Sequence, residues 1–170
     1  MAKNKFNIGV NLDDSNKIEL TSEGKKDLEE KLSELINVER PKMQAELAEA
    51  RAQGDLSENA EYDAAKNKQV EIEAEIAKIE DILVRAKIIK VDKNTSEVHL
   101  GSKVKYEKDG KEFEVVIVPD SEYNPFFEVP KISASSIFAK SIMGSKEGSE
   151  ITINTDKKYK IKILKISVSH

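Results

Sequence analysis

The stretch Ala60 to Ala86, AEYDAAKNKQVEIEAEIAKIEDILVRA, decides the architecture. Within it Tyr62, Ala65, Gln69, Ile72, Ile76, Ile79, Leu83 and Ala86 recur at alternating steps of three and four, the a/d seam of a coiled coil. The other faces are Glu, Lys and Asp, so a helix here has one apolar stripe and needs a partner for it. That partner lies upstream. From an N-cap at Thr21 or Ser22, a second stripe runs through Leu28, Leu32 and Leu35 and, after a shift, Ile36, Met43, Leu47 and Ala50. Pro41 falls inside this pattern and predicts a bend near Arg40. The connection, about Gln53 to Ser57, is short enough to force antiparallel neighbours. The expectation is a helical hairpin of residues 18–86 whose arms, at 1.5 Å rise per residue, reach roughly 45 Å.

Past Ala86 the period changes to two. Lys103 to Glu107 and Glu112 to Ile117 flank Asp109-Gly110, the signature of a tight β-hairpin. Ser133 to Ser136 can cap a short helix over Ile137 to Met143 that stops at Gly144. Ile151 to Ile153 and Tyr159 to Ile163 read as two further strands. The fold class is therefore α+β: an N-terminal antiparallel coiled-coil hairpin followed, over residues 87–170, by a small antiparallel β domain with one short helix. Residues 1–17, rich in Asn and Asp and poor in apolar side chains, read as a mobile leader.

Composition narrows the function classes. Cysteine is absent, which excludes disulfides and thiol chemistry, and His99 and His170 are too few and too distant in sequence for a metal or triad site. No apolar run approaches the roughly 20 residues of a membrane span, and the first 17 residues lack a signal-peptide core, so the expected location is the cytoplasm. The net charge of −4 argues against a protein that coats nucleic acid. That charge is uneven: Ser22 to Ala86 holds 10 basic and 17 acidic residues, Lys87 to His170 holds 15 and 12.

The chemistry concentrates where the hairpin turns, in Arg51-Ala-Gln-Gly54-Asp55-Leu56-Ser57-Glu58-Asn59-Ala60-Glu61-Tyr62. Asp55 and Glu58 have capping-box spacing, and two acids at a helix start also suit its dipole. The same two carboxylates, exposed on a rigid stalk, can also hold a divalent cation with several waters, weakly, unless a partner and a phosphate complete the ligand set. Arg51 and Lys66 flank the turn on opposite arms. They read either as ordinary solvated charges or as a clamp for an RNA phosphate. Tyr62 opens the seam and reads as a packing residue.

Leu20-Thr21-Ser22-Glu23-Gly24 and the long run Glu49 to Lys66 resemble the signature segments of the Gre family of bacterial transcript-cleavage factors. The likeness extends from about Ile18 to Ser167 and takes in Arg40-Pro41, Leu100-Gly101-Ser102 and Ile132 to Gly144. The resemblance implies an FKBP-like second domain that docks on bacterial RNA polymerase beside its substrate channel. It implies that the hairpin enters that channel when the polymerase backtracks, and that Asp55 and Glu58 help to hold a Mg²⁺ shared with the polymerase, not carried by the protein alone. Arg51 and Lys66 match basic positions associated with the displaced RNA 3′ end. The factor is then an auxiliary, not an enzyme, and because the hairpin can satisfy its own seam a monomer is expected. Where the family has a Ser-Pro pair preceded by Asn or Asp, this chain has Ser135, Ser136 and Ile137, the residues that correspond to a polymerase-docking segment. Val118 to Glu122 departs from the family's Gly-containing acidic loop as well.

Three other readings remain. A channel-binding inhibitor of the same fold would carry extra acids between Gln53 and Ser57, and this chain has only Asp55 there. A prolyl isomerase would need an aromatic pocket built from Tyr106, Phe113, Phe126, Phe127, Phe138 and Tyr159 without any Trp. A coiled-coil chaperone would need apolar side chains at the tip, where Leu56 is alone among polar neighbours.

Overall fold

The computed structural model describes residues 14–54, 60–93 and 96–168. The chain folds as two compact units, one of Lys25–Ala86 with the chain's start through Lys17, the other of Ile18–Gly24 with Lys87–His170. The leader read from residues 1–17 lies mostly outside the described residues. Its end, Asp14–Asn16, is a 3₁₀ turn.

In the first unit, α1 (Ser22–Glu34), a π-helical turn (Leu35–Glu39) and α2 (Arg40–Ala52) form one arm, and α3 (Ala60–Arg85) forms the other. Leu35, Met43, Leu47, Ala65, Ile72, Ile76 and Ile79 are buried between the arms, with Leu28, Leu32, Ile36, Tyr62 and Leu83 packed at the margins. Cross-helix ion pairs set the direction. Lys31 meets Glu75, Arg40 meets Glu73 at 2.6 Å, and Lys68 meets Glu46 at 3.8 Å, so numbers fall along α3 as they rise along the first arm.

The bend expected at Pro41 takes a specific form. Helical geometry persists through Arg40 (φ −60°, ψ −50°), and its N–H donates to the Leu35 carbonyl five residues back. The widened turn ends just before Pro41, so the ring sits at the first positions of α2, where a missing N–H and a fixed φ are tolerated. It also absorbs the shift in the apolar stripe. Leu35 and Met43 are eight residues apart, one more than a heptad, and a π turn accommodates one extra residue.

The second unit carries a five-stranded sheet in the order β5-β4-β3-β7-β6. These are β3 (Ser102–Lys108), β4 (Lys111–Val118), β5 (Lys131–Ser133), β6 (Glu150–Ile153) and β7 (Tyr159–Val168); β1 (Ile18–Leu20) and β2 (Ala86–Ile88) make a separate ribbon. The turn between β3 and β4 has Asp109 at φ 52° and Gly110 at φ 74°, both positive as a two-residue type I′ hairpin requires. Short α4 (Ile137–Ile142) covers one face, where Val104, Ile117, Ala139, Ile142, Ile153 and Ile163 are buried. Between Lys105 and Tyr106 the β3–β7 register slips by one residue. That bulge lets Ile161, Ile163 and Ile166 all face inward although 163 and 166 break strict alternation.

One expectation is corrected. The sheet is mixed, because β4 and β5 pair in parallel with Val116 opposite Lys131 and Val118 opposite Ser133. Parallel neighbours need a crossover, and the dozen residues from Pro119 to Pro130 provide it. Three-residue β1, β2 and β5 are too short to show a period and were not expected as strands.

The start of α1 is held by a group 101 residues away. Thr21 N donates to the Glu122 carboxylate at 2.5 Å and Thr21 Oγ1 donates to it at 3.0 Å, while Thr21 Oγ1 accepts from Gly24 N at 2.9 Å as an N-cap. A Cβ on Gly24 would lie 2.3 Å from that carboxylate, so the glycine leaves room for it. Gly24→Ala should therefore destabilise by about 1–3 kcal/mol through loss of these charge-assisted hydrogen bonds. In a Glu122→Ala background the same change should be neutral or slightly stabilising, since Ala is the better helix former. Thermal unfolding of the double-mutant cycle reads this reversal directly.

Candidate functional site

Asp55 and Glu58 lie outside the described residues. What is described is the end of the hairpin around them. Gly54 follows α2 with φ +120°, a conformation that stops a helix and that L side chains rarely adopt. Glu61 and Asp63 then lie in the first turn of α3, where acids favour the helix dipole.

The two helix ends carry opposite characters on different faces. Arg51, exposed in the last turn of α2, sets its guanidinium 5.8 Å from the centroid of the Tyr62 ring on α3. Lys66, one turn beyond Tyr62, shares its face, with its ammonium 3.5 Å from Gln69 Oε1. Arg51 and Lys66 thus stand on opposite arms and both flank Tyr62. Round the helix, a cavity of about 400 Å³ is lined by Glu46, Glu49, Gln53, Glu61 and Lys68 over a floor of Ala50 and Ala65. The Arg51–Tyr62 contact was not anticipated. The signal for it was positional: Tyr62 is half-buried at the last seam position before the turn, so its outer face lies open to a cation from the other arm.

The second candidate segment is built on β5 and the crossover. Ser136 is the N-cap of α4, accepting from Ala139 N at 3.1 Å. Ser135 Oγ donates to Asp120 Oδ1 at 2.8 Å, and Ser133 Oγ donates to the same oxygen. These hydrogen bonds hold the Asp120 carboxyl below the usual carboxylate range; the Ser133 hydroxyl contributes most, followed by that of Ser135. Ile137 is 58% exposed in the first turn of α4, whereas Ile142 is fully buried and Met143 is 40% exposed. Of the three residues read as partner-binding, then, Ser135 and Ser136 shape the loop and the helix start, and Ile137 presents its side chain outward.

Other expectations find their places too. Tyr106 packs on Phe138 and Phe113, with ring centroids 5.0 and 5.6 Å apart, so these aromatics fill space against one another. A cavity of about 810 Å³ in this unit is lined by aliphatic, Lys, Glu and hydroxyl side chains with no aromatic floor. His99 Nδ1 lies 2.8 Å from the Leu100 carbonyl, and His170 lies outside the described residues. Among the described residues no three His, Asp or Glu side chains gather as a metal site.

Asp120→Asn keeps the acceptor oxygen and removes the charge. Because a depressed carboxyl stabilises above its unfolded pKa and loses that contribution as pH falls through the folded value, the wild type's advantage over Asp120→Asn should be constant above about pH 5 and shrink below it. Thermal midpoints of both proteins across the acid range check the sign.

Comparison with known proteins gives a consistent result across the chain. Residues 18–88 match the family described as transcription elongation factor, N-terminal, and residues 93–168 match the C-terminal family of transcription elongation factor GreA/GreB. The chain is 42% identical over 154 residues to transcription elongation factor GreA of Mesomycoplasma hyopneumoniae strain 7448, covering 89% of this chain and 95% of that protein. It is 48% identical over 158 residues to GreA of Mycoplasma genitalium, covering 89% and 97%. Among solved structures it is similar to GreA factor homolog 1 of Thermus thermophilus, at 27% identity, 88% and 98% coverage and a TM-score of 0.42.

Proposed function

The chain belongs to the GreA/GreB family of transcription elongation factors, and from that premise we propose that it enters the substrate channel of bacterial RNA polymerase and stimulates the polymerase's own cleavage of backtracked RNA. It is an auxiliary factor whose chemistry is exerted within another enzyme's active site. The observation that supports this most directly is the antiparallel pairing of α2 with α3. The connection holding Asp55 and Glu58 then joins the far ends of two paired helices, with Arg51 and Lys66 just behind it.

Asp55 and Glu58 provide hard carboxylate oxygens, the donor type that suits Mg²⁺, and two of them fall short of a closed site. The ion in this reading is shared, with the polymerase and an RNA phosphate completing its ligands. When bound it supplies charge neutralisation at the phosphate and a more acidic water. Arg51 and Lys66 hold the phosphates of the displaced RNA 3′ end, and Tyr62 braces Arg51 from below. The protein works as a monomer, since the seam of each arm is covered by the other. No helix of the described residues is long and apolar enough to cross a membrane, and action on polymerase places the factor in the cytoplasm.

The test is RNA cleavage in stalled, backtracked elongation complexes with Mg²⁺. Asp55→Ala or Glu58→Ala should lower the stimulated rate by at least roughly 10- to 100-fold, the scale on which even indirect disturbance of metal coordination is felt, with polymerase binding retained. Arg51→Ala should lower it less and weaken the grip on RNA. Full activity in both acid variants would return those residues to helix capping. Binding without stimulation by the intact protein would favour the inhibitor reading.

A further inference from the structure

The cavity of about 810 Å³ has no part in the action at the hairpin tip, and every residue that lines it belongs to the second unit. Its floor is the sheet face turned away from α4. At the end of β4, Val115 and Ile117 join the core beneath α4, while Val116 and Val118 alternate to the opposite face and line the cavity. A sheet face left to water would carry polar side chains at those positions. The rest of the apolar lining is Ile88, which is 44% exposed, with Val91 and Val168, both half-buried.

The charges around this groove do not select a charged ligand. Lys90, Lys93 and Lys131 stand against Glu23 and Glu122; Glu122 is held by Thr21, and the Lys131 ammonium lies 4.4 Å from the centroid of the Phe127 ring. The fitting occupant has apolar side chains on one face and no charge along its length. The chain itself contains such a segment, outside the described residues. Between Lys5 and Asp13, Phe6, Ile8, Val10 and Leu12 alternate strictly with Asn7, Gly9 and Asn11. That is the period of a strand with one apolar face, and residues 6–12 carry no charge. They also precede the family match, which begins at residue 18, so the elongation-factor reading gives them no role. The tether is short: residues 14–17 span at most about 14 Å before β1, and β1 leads directly into Thr21, Ser22 and Glu23 on the cavity wall. Such a tether keeps the segment at an effective concentration on the order of millimolar. The outer edge of β1 is a poorer place for it, because the Glu19 carbonyl already accepts a hydrogen bond from Ser121 Oγ.

We propose that residues 6–12 dock in this cavity as an extended strand, with Phe6, Ile8, Val10 and Leu12 against its apolar lining. The docking is independent of any action on polymerase. Because the chain has no cysteine, one spin label at Asn11→Cys reports where the segment lies. In the labelled full-length protein the amide signals of Val91, Val116 and Val168 should broaden. Ile8→Asp combined with Val10→Asp should abolish that broadening and lower the thermal midpoint by at least about 2 °C. Asn7→Asp, on the other face of the strand, should do neither. Broadening that spares those amides, or that falls on α2 and α3 instead, overturns the docking, and so does an equal response to Asn7→Asp. Broadening of an unlabelled, isotope-enriched chain mixed with labelled chains would place the segment on a second copy, and would overturn the proposal as well.

Discussion

The end of the hairpin depends on the seam staying in register along both arms. Arg51 reaches Tyr62 only if α2 and α3 arrive there in phase, and the first arm would not do so as a plain α-helix. Its apolar stripe contains one residue too many between Leu35 and Met43, so an uninterrupted α-helix would rotate Met43, Leu47 and Ala50 away from α3. The π turn at Leu35–Glu39 absorbs that residue, and Pro41, two residues past its end, makes an unbroken α-helical ladder unfavourable at that place. The bidentate pair of Arg40 with Glu73, at 2.7 and 2.6 Å, bridges the arms just past the widened turn. Hydrogen bonding between them raises the Arg40 pKa and lowers that of Glu73, as for a pair that favours its charged state. Both side chains are substantially exposed, so the pair serves register more than stability.

These features were unevenly legible in the sequence. The heptad seam of α3 and the Asp109-Gly110 hairpin were, because each rests on a local period or a local turn with a steric cause. The shift between Leu35 and Ile36 was visible as an irregularity, but its structural form depends on how the ladder accommodates Pro41. The parallel β4–β5 pair was hidden: Lys131–Ser133 is too short for alternation to register, and nothing local tells a twelve-residue crossover from a long hairpin loop. The Thr21–Glu122 contact was equally hidden, since its partners are 101 residues apart. At the tip, the candidate residues were named from their types and spacing, whereas the Arg51–Tyr62 contact needed the two arms in register.

The crossover does more than join two strands. Its first part supplies Asp120, which gathers the Ser133 and Ser135 hydroxyls, and Glu122, which gathers the backbone and hydroxyl of Thr21. Its second part is the Asn124–Lys131 loop. A hairpin at this place would have left no chain for any of these. The departure of Val118–Glu122 from the family pattern therefore falls on a segment that stabilises the start of α1 and organises the loop before α4.

If the tip acids act as proposed, this division of labour follows from ligand strength. Two carboxylates bind Mg²⁺ weakly, and the described flanks of the tip are charged and solvated, with an acidic cavity on one side and the Arg51–Tyr62 contact on the other. Such a surface gives little affinity for a protein channel. A separate unit that binds the same polymerase would raise the effective concentration of the tip at the active site without adding any contact there. The tip can then remain weakly bound, able to enter when backtracked RNA is present and to withdraw afterwards. On this reading affinity belongs to a unit apart from the tip, and the reacting groups to the end of a hairpin whose helices are held in phase.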